Sequence, residues 1–180
     1  MNVRNRSGRK VAESRFREMN ISCFALDSVA RMPMVLLKDE GDRNTLPIWF
    51  SGAEAVAIAA ELINRDALAD SGCRDLMTSL FGHLQVEIAR IAIEGMRGAV
   101  LETFVYLDRE GDEIRVKVRP CEAVAMALKH SLPIHVADEV LSRAAMPETE
   151  DSGEWGADDA GRFIELLESL DPKDMGRYPM

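Results

Sequence analysis

The amino-acid sequence predicts an α+β domain with a mixed, mainly antiparallel sheet flanked by helices, and three observations lead there. Short alternating apolar runs bounded by turn residues recur in two groups, over residues 19–50 and 85–119. Apolar residues recur at helical spacing in residues 53–64 and again from Ala123 through Val124, Ala127 and Leu128. The 180-residue, 20.0 kDa chain fits one domain with tails, since ordinary domains run to about 100 to 150 residues, and its 47% hydrophobic content is enough to fold it.

Residues 19–29 and 34–37 read as strands, the DEGD turn at 39–42 closes a hairpin, and 45–50 returns as a third strand. Ser51 is the expected N-cap of the helix over residues 53–64, whose Val56, Ala59, Ala60 and Ile63 form a candidate buried face. A shorter helix over residues 74–80 is expected to stop at Gly82.

Residues 85–93 alternate through Val86, Ile88 and Ile91, with a break of strict period two inside 89–93; residues 99–107 alternate more cleanly, and 108–112 make a turn. In the next strand Ile114, Val116 and Val118 point one way, and Arg115, Lys117 and Arg119 the other. That pattern predicts a half-buried strand with a basic outer row, either solvated or available to phosphate. Pro120 then opens a helix with Glu122 in its first turn, where the helix dipole and unpaired N–H groups favour negative charge.

The termini differ in charge. Residues 1–18 hold six Arg or Lys against Glu13 and Glu18, net +4, and read as a basic, flexible arm preceding the domain at 19–145. Residues 146–180 hold ten acids against Arg162, Lys173 and Arg177, net −7: an acidic linker over 146–157, then an amphipathic helix and tail over 158–180 with Phe163, Leu166, Leu167 and Leu170 as its stripe. A net charge of −9 argues against tight nucleic-acid binding over a long footprint, which draws on a basic surface, and leaves short or transient phosphate contact open.

Cys23, Cys73 and Cys121 are too scattered for a zinc cluster or a disulfide framework and suit a reducing cytoplasm. No 18-residue apolar run or signal h-region is visible, so a cytoplasmic, non-membrane protein is expected. His130 and His135 lack HExxH or H-x3-H spacing and read as packing or surface residues, Cys121 as a small core residue, and the ten methionines as core filler.

Three ordered segments carry a family resemblance: PMVLLKDEGDRNTLPIWFSGAEAVAIAAEL over 33–62, RDLMTSLFGHLQVEIARIAIEG over 74–95, and VRPCEAVAMALKHSLPIHVADEVL over 118–141. Together they resemble the bifunctional nuclease domain family across residues 19–144, and the FIELLESLDPKD run resembles the tail of bacterial members. The resemblance implies cleavage of DNA and RNA with help from Mg²⁺ or Mn²⁺, an activity shown for some plant members. It places the family's polar positions on Glu54, Asp75, Arg119, Glu122 and Glu139.

On that basis Glu54, Asp75 and Glu122 are the expected metal ligands, the same three with Arg119 the catalytic set, and Arg74, Lys117 and Arg119 the phosphate contacts. The chain departs from the family pattern at two places. Arg74 stands where a His is usual, and KVRPCEA replaces DARPSDA, putting Lys117 and Glu122 at positions usually held by Asp. The lost His was the most obvious general base.

Glu54, Asp75 and Glu122 also have structural readings as helix-start acids, with Arg119 as their internal ion-pair partner. The alternative to a nuclease is therefore a non-catalytic binding or assembly module for an anionic ligand or protein partner. A homo-oligomer, as a dimer, is expected in either case, because small α+β domains expose sheet edges.

Overall fold

A computed structural model describes residues 15–27, 32–41, 43–69 and 76–145. Seven strands form one sheet in the order β3-β2-β1-β7-β4-β5-β6, with β1 at Phe16–Leu26, β2 at Pro33–Asp39, β3 at Thr45–Trp49, β4 at Val86–Arg97, β5 at Val100–Arg109, β6 at Asp112–Val118 and β7 at Ile134–Ala137. Every pairing is antiparallel except β4 with β7. Four helices accompany it: α1 at Gly52–Ala69, α2 at Leu76–Leu84, α3 at Pro120–His130 and α4 at Asp138–Ala144. The expected α+β domain with a mixed, mainly antiparallel sheet is the observed one.

One apolar cluster joins the sheet to α1, α3 and α4. Val35, Leu37, Leu46, Ile48, Ile91, Ile93, Val105, Ile134 and Val136 supply its sheet side, and Val124, Leu128, Val140 and Leu141 most of its cover from α3 and α4. Helix α1 adds Ala55, Ile58, Ala59 and Leu62, spaced one helical turn apart. The predicted face of Val56, Ala59, Ala60 and Ile63 is thus off by about one residue, and Val56 and Ile63 are both 48% exposed. AVAIAAELI is apolar nearly all round, so its spacing does not single out a stripe; burying the large pair Ile58 and Leu62 does, at about 1.5 to 3 kcal/mol each.

Several expected boundaries shift for local reasons. Strand β1 begins at Phe16, not Met19, because Phe16 to Met19 pair with β7. Helix α2 runs through Gly82 to Leu84 and ends at Gln85, which takes the left-handed conformation (φ 53°) expected of the glycine. The broken alternation in 89–93 is a β-bulge, since the β4–β5 register slips between Ile88 and Arg90. The β5–β6 turn narrows to Glu110 and Gly111, both at positive φ, as a two-residue hairpin twisted to match its strands requires.

Strand β6 departs most from expectation. Ile114 and Val116 are 44% and 39% exposed, because β6 is the sheet's edge and no described helix covers its end. The opposite row is not purely basic either. Arg115 pairs with Glu94 and stacks 3.4 Å from the centre of Phe104, Arg90 lies 3.9 Å over Tyr106 and pairs with Glu113, and Lys117 lies 3.5 Å from Glu102. These pairs and rings seal a second small cluster of Ala92, Phe104 and Tyr106. The linker and amphipathic helix expected over 146–180 lie outside the described residues.

Candidate functional site

Two adjoining helix starts build the site. At α1, Ser51 and Glu54 form a reciprocal capping box. The Glu54 Oε2 accepts from the Ser51 N–H at 2.9 Å and the Ser51 hydroxyl at 2.8 Å, and Ser51 Oγ accepts from the Glu54 N–H at 3.3 Å.

At α3 the same device is half built. Glu122 Oε2 accepts from the Arg119 N–H at 2.9 Å, as the third residue of a capping box should, but an arginine side chain cannot accept in return. Its guanidinium instead donates to Glu122 Oε1 at 2.9 Å, and its carbonyl accepts from the Glu122 and Ala123 N–H groups, both at 3.1 Å. Pro120 fits the first helical turn, where no N–H partner is needed.

Cys121 ties the two starts together. Its buried thiol donates to Glu54 Oε1 at 3.3 Å, linking residues 67 apart in sequence. Burial pushes the thiol up to about 11, and the hydrogen bond to Glu54 and that carboxylate's charge push the same way. At neutral pH it is therefore a protonated donor and not a nucleophile. Glu122 moves the opposite way: the hydrogen bonds from the Arg119 side chain and backbone hold its carboxyl below the usual range.

Glu54, Arg119 and Cys121 line a cavity of about 370 Å³ whose other walls include Pro47, Trp49, Met96, Val100 and Ala144. Arg119 presents 67% of its side chain to solvent and Glu122 47%, so the charged edge can meet a ligand. An exposed guanidinium at a helix N-terminus is suited to anions, phosphate above all.

The structure thus brings together Glu54, Arg119 and Glu122. Lys117 stands away from this cavity's lining, with Glu102, and Glu139 is exposed in the first turn of α4, its backbone carbonyl accepting from Ser142 Oγ at 2.9 Å. Arg74 and Asp75 lie outside the described residues. None of the histidines lines the cavity, and His83 Nδ1 is 2.9 Å from the Ser79 carbonyl.

Among the described residues no group of three His, Cys, Asp or Glu side chains gathers as a metal centre. The two carboxylates are already engaged within the protein, and Arg119 competes there with any second cation. Each of their four oxygens already accepts a hydrogen bond, and the Arg119 cation lies against Glu122.

Two members were not anticipated as parts of the site. Cys121 is the small core residue the sequence predicts, and its thiol also reaches the start of the neighbouring helix. Trp49, 46% exposed at the end of β3, is not among the expected site residues, although an aromatic residue two positions before the α1 N-cap Ser51 is a usable signal.

These features define an α+β domain with an acid–arginine site at two adjoining helix starts. The chain belongs to the bifunctional nuclease domain family: the family model matches residues 35–149, from within β2 to beyond α4, well over half of the chain. Its relatives include uncharacterized proteins from two strains of Mycobacterium tuberculosis, each 29% identical over 165 residues, covering 87% of this chain and 96% of the relative. Among the described residues no helix is long and apolar enough to cross a membrane.

Proposed function

We propose that this chain is a nuclease that hydrolyses phosphodiester bonds of DNA and RNA. The observation that supports it most is the convergence of Glu54 and Arg119 on one cavity, with Glu122 fixed to Arg119, in a member of the bifunctional nuclease domain family. Arg119 binds the non-bridging oxygens and stabilises the charge that grows on them in the transition state. Water attacks phosphorus, Glu54 takes its proton, and the bond to the leaving ribose oxygen breaks as that oxygen is protonated from solvent. Glu122 orients the guanidinium, and Cys121 and the Ser51 backbone N–H orient Glu54.

In this reading Arg74 and Lys117 contribute outer phosphate contacts. Mg²⁺ or Mn²⁺ would be held by Asp75 together with Glu54 and Glu122, and would add positive charge against the developing phosphorane oxygens. The protein works in the cytoplasm as a homodimer joined through α2. That helix carries no Asp, Glu, Lys or Arg and exposes Leu76, Met77, Leu80 and Leu84.

The deciding experiment is cleavage of labelled single-stranded DNA and RNA with Mg²⁺, Mn²⁺ or EDTA, using wild type, Glu54→Gln and Glu122→Gln. Cleavage lost in both folded variants supports the nuclease, and its metal dependence reports on the ion. No cleavage, or cleavage indifferent to both changes, favours a non-catalytic anion-binding module. The Arg119–Glu122 ion pair and the helix-capping roles of Glu54 and Glu122 favour that second reading.

A further inference from the structure

We propose that Trp49 is a stacking platform for an unpaired nucleobase, which makes single-stranded nucleic acid the substrate class of this site. The inference rests on the nuclease reading and goes beyond it by assigning the cavity's apolar half. Trp49 is 46% exposed at the end of β3, although Leu46, Pro47 and Ile48 just before it are buried. It shares one cavity with Arg119, so an aromatic side chain and a phosphate-binding cation line the same space. Those are the two groups a nucleotide needs: a flat apolar surface for its base and a guanidinium for its phosphate.

Size and chemistry narrow the occupant. At about 370 Å³ the cavity lies near the lower end of the roughly 300 to 1,000 Å³ seen for small-ligand pockets, fitting one nucleotide unit and not a duplex. In a duplex the base faces are already stacked on one another, so Trp49 can reach a base only where the strand is open. The remaining wall, with Pro47, Met96 and Val100, offers van der Waals contact and no base-edge code. Stacking of this kind tolerates any base, so weak sequence preference follows. The chain's net charge of −9 fits a footprint of one or a few nucleotides better than a long electrostatic track.

The test is binding in EDTA at low, stated salt, with Trp155→Phe as the background so that Trp49 is the sole tryptophan. Probes are a fluorescein-labelled single-stranded oligonucleotide, its duplex, and an abasic strand with the same number of phosphates. The expected result is anisotropy-detected binding that quenches Trp49, weakens about tenfold or more in Trp49→Leu, recovers partly in Trp49→Phe, and is poor for duplex and abasic strand. Circular dichroism of both variants checks that they fold. Binding without quenching, equal in Trp49→Leu, or equal for the abasic strand overturns the stacking role while leaving the nuclease reading intact. No binding of any strand by the folded protein overturns both.

Discussion

Replacing Ser51 and replacing Glu54 should separate the fold from the chemistry, because both belong to one capping box and only one carries a charge into the cavity. Ser51→Ala removes the hydroxyl that accepts from the Glu54 N–H at 3.3 Å and donates to Glu54 Oε2 at 2.8 Å. Loss of an N-cap side chain costs about 1 kcal/mol. For a domain of this size that lowers Tm by about 2 to 4 °C. Glu54→Gln keeps an oxygen that can accept from the Ser51 N–H, now at 2.9 Å, so α1 retains its start and stability should stay within about 0.5 kcal/mol of wild type.

Thermal and urea unfolding measure the stability side, and oligonucleotide cleavage measures the other. The expected pattern is crossed: Ser51→Ala less stable and active, Glu54→Gln stable and inactive. If Glu54→Gln instead loses as much stability as Ser51→Ala, and activity in the two simply follows stability, Glu54 is a capping residue and the catalytic role assigned to it is wrong.

Three further outcomes are expected. Cys121, held near 11 by burial and by Glu54, should alkylate slowly at pH 8, and Glu54→Gln should speed its modification severalfold by removing one cause that raises it; an unchanged site-resolved rate by mass spectrometry would show that burial alone governs the thiol. Burial acts to raise the Asp39 carboxyl, but hydrogen bonds from the Asn44 side chain and backbone outweigh it and hold the group below its usual range. Its contribution to stability is therefore complete above the unfolded carboxyl's pKa and lost as pH falls through the folded value, so Asp39→Asn should flatten the acid limb of a Tm-against-pH curve, and a limb of undiminished steepness would assign it to other groups. Leu76→Glu with Leu80→Glu should turn a dimer into a monomer in sedimentation velocity, and a wild-type protein already monomeric at micromolar concentration would remove α2 as the interface.

How far the sequence carried the fold depended on whether each element's cause was local. The β5–β6 hairpin and the helix behind Pro120 were legible because Gly111 and the RPCE start impose them on their neighbours. Strand β7 was not identified: its four residues, Ile134–Ala137, are too short to show a period, and they are strand because β1 and β4 lie on either side. The inward row of β6 was visible as a pattern, but whether anything would cover Ile114 and Val116 is a property of the sheet's edge. The site divided the same way. Each capping role of Glu54 and Glu122 is local and could be read, and their membership in one cluster came from family resemblance. The Cys121–Glu54 contact depends on how α1 and α3 meet, which no spacing within either helix records.

The late central strand has a consequence for synthesis. Strands β1 to β3 and β4 to β6 are two antiparallel meanders, and the strand that joins them lies at Ile134–Ala137, more than 110 positions after Phe16. As the chain leaves the ribosome, both meanders can form while the edges of β1 and β4 stay unpaired, open to each other, to another nascent chain or to a chaperone. The closing step is also a long loop closure, which makes it slow compared with either hairpin. Fragments that stop before Ile134 should therefore be poorly soluble, and crowding on polysomes should penalise this protein more than one whose central strand is made first.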